Sequence, residues 1–123
     1  MCKTLIVEDS ATFRKAFREA LNKRFPDMQI EEAKDGLLAL QKIKAVQPDL
    51  VFMDIRLPGE NGLTLTGKIK SSYPQTKVII LTDYDLPEYR TAAFDNGADN
   101  FIAKGSLSLS EIAEIIDLMA IKP

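Results

Sequence analysis

An α/β fold built on one parallel sheet is predicted by three observations. Short apolar runs alternate with amphipathic stretches along all 123 residues. The runs Leu5-Ile6-Val7, Leu50-Val51-Phe52-Met53 and Val78-Ile79-Ile80-Leu81 are continuous rather than alternating, the pattern of strands covered on both faces. Each run then passes into polar or charged residues. Strands separated by helices need crossover connections, and crossovers imply parallel pairing.

The first strand, Thr4 to Val7, ends in Glu8-Asp9. Ser10 is suited to cap a helix whose stripe is Phe13, Phe17, Ala20 and Leu21, and Pro26-Asp27 breaks it. Met28 to Ala33 is more polar, with Glu31-Glu32 inside it, as expected of a strand near a sheet edge. Asp35-Gly36 is a turn, and Leu37, Leu40 and Ile43 mark a second helix that Gln47-Pro48 ends. Leu50 to Met53 is the third strand and delivers Asp54. A loop over Pro58-Gly59-Glu60-Asn61-Gly62 leads to a third helix with the stripe Leu63, Thr66 and Ile69. The fourth strand, Lys77 to Thr82, is followed by a weakly apolar helix over Pro87 to Asn96. Pro87 suits its first turn and Gly97 its C-terminal cap. Asn100 to Lys104 is a short fifth strand. Ser108 or Ser110 caps a last helix with Ile112, Ile115, Ile116 and Met119 inward. The most apolar strands, the first, third and fourth, are expected at the centre. The prediction is therefore one doubly wound (βα)5 domain over residues 1–123, with the flavodoxin-like strand order 2-1-3-4-5.

Composition narrows the function. A net charge of −2 offers no basic surplus for neutralising nucleic-acid phosphates. No apolar stretch approaches the roughly 20 residues of a membrane span, and the N-terminus lacks the pattern of a signal peptide. A single Cys, Cys2, cannot form an internal disulfide, so a cytoplasmic setting is expected. With no His, a bound metal is expected to be a hard cation held by oxygens.

In a parallel sheet, chemistry sits beyond the carboxyl ends of the strands. That rim collects Glu8 and Asp9 from the first strand, Asp54 from the third, Thr82 from the fourth and Lys104 from the fifth. Taken singly, each has a bland reading: Glu8-Asp9 as a helix cap, Thr82 as a turn residue, Lys104 as a solvated surface lysine. Their gathering at one rim is the informative feature. Three carboxylates within about 4–6 Å repel unless a cation neutralises them, and Mg2+ is the economical choice. Asp54 has the chemistry to act as a nucleophile and form an aspartyl phosphate. Lys104 then balances charge on the phosphoryl group, and the Thr82 hydroxyl donates to one of its oxygens.

Here the chain resembles the receiver domains of bacterial two-component response regulators, the CheY-like superfamily. The resemblance runs from Leu5-Ile6-Val7-Glu8-Asp9 through Met53-Asp54-Ile55-Arg56-Leu57-Pro58-Gly59, Gly62 and Leu81-Thr82 to Ala98-Asp99-Asn100-Phe101-Ile102-Ala103-Lys104. Glu88-Tyr89 and the Lys104-Gly105 ending look most like the NarL-type subgroup. The resemblance implies a phosphoacceptor at Asp54 and Mg2+ held by Glu8, Asp9, Asp54 and the backbone carbonyl of Arg56. It implies phosphoryl contacts from Thr82 and Lys104, and a switch pair of Thr82 and Phe101 in which Phe101 turns from a solvent-facing to a buried rotamer. Arg56, Asp83 and Tyr84 are then modulating residues around the site. A sensor histidine kinase is the implied partner. The fourth helix, fifth strand and fifth helix form the implied output face, open to a homodimer or an output domain. Two positions depart from the usual pattern: Asp83, where a small residue is common, and Gly105, where many relatives carry Pro. The chain ends at Lys122-Pro123 after the fifth helix, as a stand-alone receiver or as part of a longer regulator with a helix-turn-helix DNA-binding domain.

Other classes fit less well. A haloacid-dehalogenase-type phosphatase needs a second Asp where Arg56 stands. A flavodoxin-like FMN protein needs a glycine- and hydroxyl-rich phosphate loop, whereas Glu8-Asp9-Ser10-Ala11-Thr12 is acidic and would repel phosphate. A pseudo-receiver that binds partners without being phosphorylated remains open, because Asp83 adds like charge near the site.

Overall fold

The computed structural model describes residues 2–119; the end at Lys122-Pro123 lies outside them. Seven strands and five α-helices follow one another as β1 (Lys3–Val7), α1 (Ala11–Arg24), β2 (Gln29–Ala33), α2 (Gly36–Val46), β3 (Leu50–Met53), β4 (Arg56–Leu57), β5 (Glu60–Asn61), α3 (Gly62–Ser72), β6 (Lys77–Thr82), α4 (Pro87–Asp95), β7 (Asn100–Ala103) and α5 (Leu109–Leu118). Five strands form one sheet in the order β2-β1-β3-β6-β7, and every pair in it is parallel. Counting sheet strands alone, this is the expected order 2-1-3-4-5. The three most apolar strands are central and the acidic β2 is an edge.

The sheet sorts side chains by parity. Val51 and Met53 of β3 join Leu5, Val7, Val78 and Ile80 in a core beneath α2, α3 and α4. Leu50 and Phe52 face the other way, toward Phe17, Leu21, Ile112 and Ile116 of α1 and α5. With both faces covered, β3 has no exposed residue. Its four residues therefore read as a continuous apolar run, and the polar residue that follows is driven to the rim.

The helix boundaries follow local chemistry. Ser10, Asp35, Asn61 and Ser108 each accept a hydrogen bond from a first-turn N–H, capping α1, α2, α3 and α5. Helix α4 has Leu86 at its N-cap and no side-chain cap, with Pro at the start. It buries only Ala93 fully, which makes it the helix with the least to hold it in place. Gly97 follows it with a φ of 94°, the left-handed stop that glycine adopts freely.

Two local features differ from the sequence-based expectation, and the end of α2, which falls where expected, has an unusual backbone. Leu37 is 71% exposed. The buried face of α2 is instead Gly36, Ala39 and Ile43, because Glu60 of β5 approaches so closely that a Cβ at Gly36 would lie 3.1 Å from it. Residues 56–61 are not a plain loop: β4 and β5 pair antiparallel around a Pro58-Gly59 turn, with Gly59 at φ 79°, matching the Pro-Gly preference of a type II turn. Gln47 closes α2 in the left-handed region, at φ 50° and ψ 67°. A Cβ-bearing residue is strained there by about 1 kcal/mol or more, so Gln47→Gly is expected to stabilise the fold by about 1 kcal/mol. A rise in the urea midpoint at unchanged slope would register this, and a fall would contradict it.

Candidate functional site

The carboxyl ends of β1, β3 and β6 lie side by side, and the backbone continues their ladder past the last strand residue. Glu8 N–H donates to Ala33 O at 3.0 Å and Asp54 N–H donates to Val7 O at 3.0 Å. This brings Glu8, Asp9 and Asp54 together, each offering one carboxylate oxygen within 4.8 Å of the others. Glu8 is 3% exposed and Asp54 8%, while Asp9 faces solvent.

Each buried carboxylate is oriented by backbone N–H groups. Ser10 N–H donates to Glu8 Oε2 at 2.9 Å. Ile55 N–H donates to Asp54 Oδ1 at 2.8 Å, which leaves Oδ2 to face Lys104. The Lys104 ammonium donates to Glu8 Oε1 in a close contact and lies 3.4 Å from Asp54 Oδ2. It also packs 4.3 Å from the centre of the Phe13 ring. Burial pushes the Glu8 carboxyl above its ordinary range despite Lys104 and the Ser10 N–H, and Asp54 adds to the rise. Burial works against the Lys104 ammonium, but the Glu8, Asp54 and Asp83 carboxylates outweigh it and raise its pKa.

Oxygen donors alone, two of them buried and gathered on one side, fit a hard divalent cation such as Mg2+, which keeps several waters. They fit a thiophilic or imidazole-seeking metal poorly. Chemically, the cluster combines a carboxylate oxygen with a free direction, two further acids to share a cation, and an ammonium within reach of the same oxygen.

The remaining expected residues divide into those at the rim and those at its margin. Thr82 is fully buried, stands beside Ala103 in the β6–β7 register, and its hydroxyl oxygen accepts from Tyr84 N–H at 3.2 Å. Asp83 has a side chain 71% exposed, with Oδ2 3.9 Å from Lys104, so water screens most of the like charge it brings. Arg56 lies in the β4–β5 hairpin, and its guanidinium covers the Tyr84 ring at 4.1 Å. Tyr84 in turn meets Tyr89 edge-on at 6.1 Å. Phe101 is 3% exposed and packed in the core beneath α4, which is the buried rotamer of the expected switch pair. The Arg90 guanidinium covers its ring at 4.6 Å. An inward aromatic gains apolar burial and a cation–π contact together, which an outward rotamer gives up.

Phe13, Arg14, Glu32 and Arg90 also bear on the site, although the sequence pattern does not single them out. Phe13 belongs to the predicted helix stripe, yet it is only partly buried and lies against Lys104. Arg14 donates to Glu8 O at 2.6 Å and to Glu32 at 2.9 Å. The i, i+4 spacing of Arg14 and Arg18 was the available signal, but their shared partner on β2 emerges only from the strand register.

Among the described residues no helix is long and apolar enough to cross a membrane. A family model described as response regulator receiver domain matches residues 4–117. Oxygen regulatory protein NreC of Staphylococcus carnosus is 41% identical over 105 residues, 85% of this chain and 48% of that protein. The Staphylococcus aureus protein of the same name is 39% identical over the same shares. The chain thus spans about half the length of the curated relatives it matches. Among solved structures, a DNA-binding response regulator of the LuxR family from Staphylococcus aureus superposes with a TM-score of 0.88 at 29% identity, covering 97% of this chain and 98% of that one. The response regulator protein TrrA of Thermotoga maritima, in complex with Mg(2+)-BeF, gives 0.84 at 31% identity, covering 97% and 99%. With the β2-β1-β3-β6-β7 sheet and the acidic rim it carries, the chain belongs to the response regulator receiver domain family.

Proposed function

We propose that residues 1–123 act as one phosphorelay receiver in which Asp54 accepts a phosphoryl group from a sensor histidine kinase. The observation that carries this reading is the convergence of Glu8, Asp54 and the Lys104 ammonium at the ends of three strands. Asp54 is the favoured nucleophile among the three acids. Both Glu8 oxygens are engaged, by Lys104 and by Ser10 N–H. Asp54 has one oxygen held by Ile55 N–H and the other turned toward the ammonium.

In the reaction, Asp54 Oδ2 attacks phosphorus in line, the P–N bond to the kinase imidazole breaks with its electron pair going to that nitrogen, and the imidazole, which already carries a proton on its other nitrogen, leaves as the neutral base. Glu8, Asp9, Asp54 and the Arg56 backbone carbonyl would hold a Mg2+ ion, which would supply positive charge to the phosphoryl oxygens. Lys104 follows one of those oxygens from its position beside Oδ2. Thr82 then exchanges its bond from Tyr84 N–H for a donated bond to the phosphoryl group. Thr82 and Phe101 form the proposed switch pair, with the ring held in its buried rotamer once Thr82 has moved, and the change is read at the Thr82–Tyr84 turn and at α4, the least anchored helix. Arg56, Asp83 and Tyr84 tune the site from its margin.

The α4–β7–α5 face is the proposed output surface, whether toward a second copy or an output domain. Leu86 and Phe94, 44% and 46% exposed beside and on α4, support this. Control of transcription through a DNA-binding domain is supported by the Staphylococcus aureus structure, which is of a DNA-binding response regulator. Incubation with Mg2+ and a small phosphodonor is expected to add one phosphoryl group by intact mass, and EDTA to suppress it. Uptake that ignores EDTA would remove the metal from the account; no uptake at all would favour a pseudo-receiver.

A further inference from the structure

We propose that Arg14, held in place by Glu32, is a positioning residue for the acidic rim, acting through the backbone of the Glu8–Asp9 peptide. This rests on the reading of the rim as a Mg2+ site. The Asp9 side chain is exposed, and among the described residues its carboxylate accepts no hydrogen bond, so its placement at the rim rests on where its backbone puts it. That backbone shares a rigid peptide plane with the Glu8 carbonyl, and the Glu8 carbonyl accepts from Arg14 Nη1 at 2.6 Å. The opposite face of the Arg14 fork is fixed as well: Nε donates to Glu32 Oε1 at 2.9 Å. Glu32 stands opposite Ile6 in the β1–β2 register, two residues before Glu8, and also receives Arg18 Nη1 at 2.7 Å. Burial raises the Glu32 carboxyl, and the two arginines more than reverse that, so it stays ionised and neutralises the charge that Arg14 brings near the rim.

Arg14 and Arg18 make similar ion pairs to one carboxylate, but Arg14 alone of the two reaches Glu8. This supplies an internal control. Partners that orient metal ligands change affinity by about 10–100-fold when removed. In the full chain, Arg14→Gln is expected to weaken Mg2+ binding about 10-fold by calorimetry, and Arg18→Gln to change it less than about twofold. Arg14→Lys keeps the charge but lacks the fork; it is expected to fall between, and carries the test if the Gln variant does not fold. A second readout needs no metal. The Ser10 amide, bonded to Glu8 Oε2, is expected to exchange about 10-fold faster in Arg14→Gln than in wild type or Arg18→Gln. Equal effects of the two arginines on Mg2+ affinity and on Ser10 exchange, or no effect of either, would overturn the proposal. A wild type that binds no Mg2+ would instead remove the metal reading, and the exchange comparison would then decide the role of Arg14.

Discussion

Asp54→Asn is expected to abolish phosphoryl uptake, lowering the rate by at least about a thousandfold while leaving the chain folded. An amide is a far weaker nucleophile than a carboxylate, and nucleophile loss ranks among the largest single-residue effects in group transfer. The side chain is close to isosteric, so the bond from Ile55 N–H to Oδ1 is retained. Removing one of three clustered negative charges also relieves repulsion at a rim where Asp54 and Glu8 are both buried. The thermal midpoint is therefore expected to hold or rise in the absence of Mg2+. Time courses with a small phosphodonor and Mg2+, followed by intact mass, measure the first effect, and a thermal melt the second. Uptake at the wild-type rate would shift the nucleophile to another rim carboxylate.

Gly62→Ala is expected to cost about 3 kcal/mol of stability and to slow phosphoryl uptake on the order of 100-fold. Helix α3 starts against the end of β3, with Gly62 N–H donating to Ile55 O at 2.7 Å. A Cβ on Gly62 would lie 1.8 Å from the Asp54 carbonyl oxygen and 3.0 Å from Ile55 Cα. These are backbone atoms, so no rotamer change can relieve the collision. The start of α3 would have to move off the strand, against the Thr66 hydroxyl, which donates to Gly62 O at 2.8 Å. Overpacking of this kind costs about 1–3 kcal/mol or more. A displacement of about 1 Å at a reacting group costs about 100-fold in rate. Gly105, where a Cβ would meet nothing within 4 Å, provides the contrast: Gly105→Ala is expected to stay within about 0.5 kcal/mol of wild type. Urea unfolding of both variants tests the pair. A Gly62→Ala protein with wild-type stability and uptake would mean that the α3–β3 contact does not set the geometry of Asp54.

How far the sequence could be read depended on which physical signal each feature leaves. The sheet order was legible because burial on both faces makes β1, β3 and β6 continuously apolar, whereas β2 carries Glu31 and Glu32 and sits at an edge. The rim was legible because parallel strands all release their polar residue at one end. The β4–β5 hairpin was not, since two-residue strands have no periodicity to detect. Leu37 was assigned inward because a stripe of large apolar residues normally marks the buried face; here small residues, Gly36 and Ala39, form that face where β5 closes in. Arg90 lies over the Phe101 ring, a contact between α4 and β7 that no local pattern encodes. The Arg14–Glu32 clamp likewise joins residues 18 apart in the chain, and it becomes visible only once β2 is known to lie beside β1.

The proposed phosphoacceptor, Asp54, directly follows the third strand. An aspartyl phosphate is an acyl phosphate, so borohydride reduces it to an alcohol and leaves homoserine where the phosphorylated aspartate stood. After phosphorylation in Mg2+, borohydride trapping and peptide mapping are expected to find homoserine at position 54, in proportion to the phosphoryl group taken up. Stoichiometric uptake with the trapped residue at position 9 instead, or with no trapped carboxylate at all, would contradict Asp54 as the phosphoacceptor.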